Sequence, residues 1–157
     1  MHSIRVAVLA FVAITGCARA TPLTVPTSVA TTGDTVDAAL RQIVADYTGL
    51  YRRETLSRWE TLFLPGFTAA NTRADGSVNV RGRDEFFEAQ RRFHARVEGL
   101  REDLENVRIE RHGPLASVWA DYVVTEGAQR NRGKLALLII RDSSAYRIHS
   151  LIFAYDR

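Results

Sequence analysis

The chain has 157 residues, a formal net charge of +3, 46% apolar residues and 25% charged residues. These proportions are ordinary for a globular protein with room for one domain and a real core. The slight cationic excess comes from arginines interspersed with Asp and Glu, which gives no argument for a nucleic-acid partner.

The chain opens with Arg5 as the single positive charge before an uncharged apolar run from Val6 to Thr15. That run has the length of a signal-peptide core and falls short of the roughly 20 residues needed to span a membrane. It ends at Ile14-Thr15-Gly16-Cys17, which resembles the bacterial lipobox: a branched apolar residue, two small residues, then cysteine. The resemblance implies cleavage before Cys17 and a diacylglycerol on its thiol, so residues 1–16 are expected to be a lipoprotein signal peptide. Cys17 is the only cysteine, which leaves no internal disulfide. The alternative is an ordinary secretory signal cut near Ala18-Arg19-Ala20. Ala18 stands where an inner-membrane retention signal would carry Asp, so the expected location is the cell envelope, at the outer membrane facing the periplasm. Residues 17–33 are rich in Thr, Ala, Pro and Val and read as a tether.

Residues 34–157 read as the domain. Asp34 or Thr35 is a candidate N-cap, and Ala38, Leu40, Ile43, Val44, Tyr47, Leu50 and Tyr51 recur at helical spacing after it. Glu54 to Leu64 reads as a second helix stopped by Pro65-Gly66, with Leu56, Trp59, Leu62 and Phe63 inward. Phe67 to Ala70 is a short strand candidate, and Asp75-Gly76 marks a turn. A third helix runs from about Arg83 to Val97, burying Phe86, Phe87, Gln90, Phe93 and Val97; Arg91, Arg92 and Arg96 fall on its wetter side. From Leu104 the period becomes two. Leu104 to Arg111, Leu115 to Glu126, Gly133 to Arg141 and Tyr146 to Tyr155 read as antiparallel strands. Helices followed by a meander argue for an α+β domain with helices on one face of a sheet.

This order of elements resembles the nuclear transport factor 2-like superfamily, which includes ketosteroid isomerases and SnoaL-like polyketide cyclases. The residues that carry the resemblance are Tyr47, Trp59 to Phe63, Gly76 through Arg81-Gly82-Arg83, the strand Ala116 to Tyr122, and the last hairpin from Leu138 to Ile148. The stretch Ala116 to Tyr122 is similar to a lumazine-binding-like branch. That branch often has a His-Cys-Gly stretch, where this chain reads Asn131-Arg132-Gly133. The resemblance implies a cone: a strongly curved antiparallel sheet wrapped around the first helix, with an apolar pocket open at one end. It places Trp119, Asp121 and Val123 on the pocket side of their strand, with Tyr47, Tyr51, Trp59, Phe63, Phe93, Leu137 and Ile139 also inward.

An isomerase of this superfamily needs a carboxylate base, a tyrosine and a protonated aspartic acid. By the resemblance Tyr47 matches the tyrosine, but the base falls at Asn71 and the aspartic acid near Leu137, so isomerase chemistry is not expected. Asp121 is then the remaining candidate for acid–base work, if an apolar pocket raises its pKa. No two histidines share metal-ligand spacing, and no phosphate loop or nucleophile elbow occurs, so no cofactor is expected. Three readings follow. The domain binds a small hydrophobic molecule through an apolar cone with Tyr47, Asn71 and Asp121 as polar groups. Or it is a cyclase-, dehydratase- or isomerase-type enzyme using Asp121 with Tyr47. Or its cone is filled, and the outer sheet face binds protein. His149, Leu151, Phe153 and Tyr155 alternate on the last strand and are expected to form a homodimer interface.

Overall fold

The computed structural model describes residues 38–73, 75–143 and 145–156. The signal segment, Cys17, the tether and the Asp34–Thr35 cap lie outside the described residues. The first helix, α1, covers Ala38–Gly49 and buries Leu40, Ile43, Val44 and Tyr47, one stripe at helical spacing. The expected second helix is a broken turn instead. A 3-10 turn at Arg53–Thr55, one α turn (α2, Leu56–Trp59) and a second 3-10 turn at Glu60–Leu62 follow one another.

Phe63 already belongs to a strand. β1 runs Phe63–Thr72, straight through the Pro65-Gly66 pair that looks like a helix stop in the sequence. Proline lacks the N–H that a ladder requires, and the pairing of β1 with β6 accordingly shifts register between Phe63 and Thr68. β2, Val78–Gly82, has no counterpart among the expected elements. It returns from the Asp75-Gly76 turn, where the Asp75 carboxylate accepts hydrogen bonds from the Ser77 backbone N–H at 2.9 Å and its hydroxyl at 2.7 Å. Its residues alternate exposed and half-buried. A two-stranded lip without a strong apolar row leaves little periodicity to read.

Helix α3, Arg83–Arg96, starts on Gly82 with Asp84 and Glu85 in its first turn and His94 and Arg96 in its last, each sign complementing the helix dipole. Arg53 closes its far end: Nε donates to the carbonyl of His94 at 2.9 Å, and the guanidinium also reaches the carbonyls of Ala95 and Val97. Four long strands complete the chain, β3 (Arg101–His112), β4 (Leu115–Glu126), β5 (Gln129–Asp142) and β6 (Ala145–Tyr155).

The six strands form one sheet in the order β2-β1-β6-β5-β4-β3. β1 pairs β6 in parallel and every other neighbour is antiparallel. Irregularities in β3 (between Glu105 and Arg108) and between β5 and β6 (at Leu138/Ile139) help a long sheet to curve. On the inner side an aromatic cluster binds the short helices to the sheet. Trp59 sits 4.5 Å from Phe63 and 5.8 Å from Phe87 between ring centroids, and its indole N–H donates to the Tyr47 carbonyl at 2.8 Å. Truncating a buried indole of this kind costs on the order of 3–5 kcal/mol.

Candidate functional site

Above that cluster the core does not close. A cavity of about 340 Å³ remains between α3 and the inner face of the sheet. Helix α3 contributes Phe86, Ala89, Gln90, Phe93 and Arg96, one stripe with the spacing of a helix face. Opposite stand Tyr122 and Val124 of β4, Leu135 of β5, and Leu151, Phe153 and Tyr155 of β6. Tyr47, Tyr51, Trp59, Arg81 and Glu102 complete the lining.

Glu102 is the unusual group. It lies near the start of β3 and pairs with Val124, and its neighbour at the same parity, Leu104, pairs with Tyr122. Both partners are buried on the inner face, so Glu102 points the same way. Burial pushes its carboxyl up to about 7; the hydrogen bond from the Tyr47 hydroxyl, 3.2 Å long, works against this, and the nearby Asp103 charge adds to it. The Tyr47 phenol is in turn held well above its ordinary value by burial and by Glu102, so it stays a donor. The Tyr51 hydroxyl donates to Gln90 Oε1 at 2.5 Å. The result is a carboxyl poised between its two forms near neutral pH, aimed into an aromatic cavity and held by a phenol.

Comparison with known proteins adds the fold. No protein-family model matches the chain, and no curated protein matches it. Solved structures do. A variant of a protein of unknown function from Mycobacterium tuberculosis is 23% identical with a TM-score of 0.60, over 76% of this chain and 75% of that one. A nuclear transport factor 2-like protein of unknown function from Shewanella baltica is 13% identical with a TM-score of 0.60, over 76% and 92%. The beta subunit of the benzoate 1,2-dioxygenase from Burkholderia mallei is 16% identical with a TM-score of 0.62, over 79% and 93%. The fold is nuclear transport factor 2-like. At these identities the likeness speaks for the fold alone.

Within this nuclear transport factor 2-like cone, the expected site residues separate into four groups. Tyr47, Tyr51, Trp59 and Phe93 line the cavity. Phe63, Leu137 and Ile139 are inward but lie in the packed core and do not line it. Asn71 is half-buried on β1, also outside the lining; its side-chain oxygen accepts a hydrogen bond from Asn79 at 3.1 Å.

Trp119 and Asp121 are on the wrong face for the expectation. Trp119 is 53% exposed on the outer side of the sheet, and the inward row of β4 is Ala116, Val118, Ala120, Tyr122 and Val124. The physical reason is in the row itself. The even-numbered residues form an unbroken apolar series, whereas the odd row is interrupted by Ser117, Asp121 and Thr125. Asp121 accepts from Lys134 Nζ at 2.5 Å and from Asn106 at 2.7 Å, and these bonds hold its carboxyl below its ordinary value. A carboxylate so paired on the surface is ionised at neutral pH and is no acid–base catalyst for the cavity.

The row expected to form an interface is also rearranged. Ser150 pairs Leu138 and Ile148 pairs Ile139, leaving His149 as an extra residue that reverses the alternation of β6. Leu151 is therefore buried, and Phe153 and Tyr155 turn to the cavity. His149 is half-buried beside the Ser150 hydroxyl. Ile152, 61% exposed, faces outward in their place.

Glu102 escapes the sequence analysis because the alternating pattern is taken to begin at Leu104. Extending that alternation back by two residues places a carboxylate on the buried row. Gly133, by contrast, stands out in the sequence as the glycine of the Asn131-Arg132-Gly133 stretch, and the packing explains it. A Cβ there would stand 2.1 Å from the Ala154 carbonyl and 2.6 Å from the Tyr122 ring, so only glycine lets that ring cross β5.

Proposed function

We propose that this domain binds one small, largely apolar molecule in the cone, with Glu102 and Tyr47 as its inner polar contact. The observation that carries the reading is the Glu102 carboxyl: it is desolvated inside an aromatic-lined space that protein side chains leave unfilled. A purely structural carboxyl in such a place would be expected to carry a cationic partner, and Glu102 has a phenol instead. The volume suits a ligand at the lower end of the usual range for small-molecule sites.

The test uses N-phenyl-1-naphthylamine, a neutral apolar probe whose emission rises on leaving water. The chain is expected to bind one equivalent. Ala89→Phe, which places a ring in the cavity from α3, is expected to abolish that signal with the circular dichroism unchanged. Equal binding by both proteins would place the probe elsewhere and end this reading.

A second reading has one observation in its favour. A carboxyl that titrates near neutrality is suited to proton transfer, so Glu102 with Tyr47 could move a proton on a bound substrate. The enzyme hypothesis thus passes from Asp121 to Glu102. It requires turnover of a bound compound that Glu102→Gln removes while leaving its affinity within a few-fold; binding without turnover supports the simple binding role.

We also propose that the domain is held at the cell envelope by lipid on Cys17. The basis is the lipobox-like stretch Ile14 to Cys17 after an uncharged apolar run. Metabolic labelling with a palmitate analogue is expected to mark the wild type and not Cys17→Ser. Equal membrane attachment of both would refute the anchor.

A further inference from the structure

The hydrogen-bonding inventory of the cavity is lopsided. The Tyr47 hydroxyl is engaged with Glu102, the Tyr51 hydroxyl with Gln90 Oε1, and the Trp59 indole with a backbone carbonyl. The charged and amide groups not engaged with another lining residue are donors only: the Gln90 side-chain N–H groups and the guanidiniums of Arg81 and Arg96. Arg81 has a single long contact, 3.4 Å, to the exposed Glu85. Among the described residues Arg96 has no carboxylate within ion-pair distance, unlike Arg91 and Arg92 on the same helix, which both engage Glu88. Its position separates it further from those two. All three arginines are exposed, but Arg96 alone of them also lines the cavity, where it continues the Phe86, Ala89/Gln90, Phe93 stripe.

A second observation points the same way. The Tyr122 hydroxyl is buried, its residue 3% exposed, and it has no hydrogen-bond partner among the described residues. Gly133 lets the ring cross the neighbouring strand, and at the cavity wall the ring meets Phe153 and Tyr155 edge to face. Against this set of open groups the cavity offers one carboxyl acceptor, Glu102, already bonded to Tyr47.

From this excess of donors over acceptors we infer that the ligand is an apolar carboxylate: a ring or short hydrocarbon body lying along α3, with its acid group on Arg96 and Gln90. The inference rests on the cavity-binding reading above and adds the ligand's charge to it. Two guanidiniums facing one uncharged or half-charged acid give the site a positive potential, which favours an anion and rejects a cationic amphiphile. The apolar walls supply the affinity, and the arginine supplies the discrimination between an acid and its neutral analogue.

The experiment compares 2-naphthoate with 2-naphthamide, which share a skeleton and differ in charge, by isothermal titration of the full chain at pH 7.5. The acid is expected to bind at least about tenfold more tightly than the amide. Arg96→Gln is expected to remove that preference while leaving amide affinity within about twofold, and Tyr122→Phe to weaken the acid with the fold intact. Equal affinities for acid and amide would overturn the inference and leave the cavity reading standing. So would a preference for the acid that survives both Arg96→Gln and Arg81→Gln, because the anion would then sit elsewhere. Absence of binding by either compound up to about 1 mM also overturns it. In that case the neutral N-phenyl-1-naphthylamine signal decides separately whether the cavity binds anything.

Discussion

Replacing Glu102 by Gln should change the pH dependence of stability more than the stability itself. Gln has the shape of the protonated acid, so the two proteins differ mainly where Glu102 must ionise. The carboxyl titrates near 4.5 when the chain is unfolded and at about 7 in the folded domain. Its folded pKa is raised, so the folded state holds the proton longer than the unfolded state. The wild type therefore has its full share of stability from this group below pH 4.5 and loses it as pH rises through 7. A displacement from 4.5 to about 7, at about 1.4 kcal/mol per pH unit, bounds the loss at about 3 kcal/mol. For a domain of this size that is roughly 10 °C in Tm. Urea unfolding at pH 4.5 and pH 8.5 measures it. The wild type and Glu102→Gln should agree to within about 1 kcal/mol at the lower pH, and the variant should be the more stable by up to about 3 kcal/mol at the higher. A difference that is the same at both pH values would refute the claim that Glu102 is desolvated in the cavity.

Three other expectations follow from particular contacts. Gly133→Ala forces a methyl group against the Ala154 carbonyl and the Tyr122 ring, and should cost about 3 kcal/mol or more in urea unfolding; a loss under about 0.5 kcal/mol would show that β5 and β6 adjust freely. The two tryptophans should be separable by fluorescence: Trp59→Phe should leave a red-shifted emission that acrylamide quenches, from the exposed Trp119, and Trp119→Phe a blue-shifted, shielded one. Shielded emission in Trp59→Phe would mean that Trp119 faces inward after all. If the chain forms a homodimer, the outer face that carries Trp119 and Ile152 is the surface for it, so Ile152→Arg should give a monomer by light scattering where Phe153→Arg disturbs the cavity; an oligomer unchanged in Ile152→Arg removes that face from consideration.

The elements that the sequence declares are those with one strong period. The α1 stripe from Leu40 to Tyr47, the Phe86–Phe87 face of α3 and the long strand β4 each bury a continuous row, and their apolar residues recur where the structure needs them. Two local features are not legible in this way. The Pro65-Gly66 pair reads as a stop, yet a strand carries it at an irregularity in its pairing, a tertiary choice that no local propensity encodes. The extra residue at His149 reverses the face of everything after it, which no count of alternate residues predicts. On β4 the resemblance chooses the odd row for the pocket, whereas the chain's own polarity pattern favours the even row, and the structure follows the pattern.

The site is half legible for a related reason. Aromatic residues at helical spacing announce themselves, so Tyr47, Tyr51, Trp59 and Phe93 stand out in the sequence alone. Glu102 sits in the run Arg101-Glu102-Asp103, where a buried acid looks like its solvated neighbours. Arg96 reads as one more exposed arginine, and it is exposed; only the phase of α3 shows that it also lines the cavity. A charged residue that faces inward from a strand, as Glu102 does, is hidden by composition and revealed by parity.

Native mass spectrometry of the protein, purified gently from its own host beside the Ala89→Phe variant, tests the central claim most directly. The account predicts one small non-covalent adduct on the wild type and none on Ala89→Phe. An adduct of the same mass on both proteins, or none on either, would contradict it.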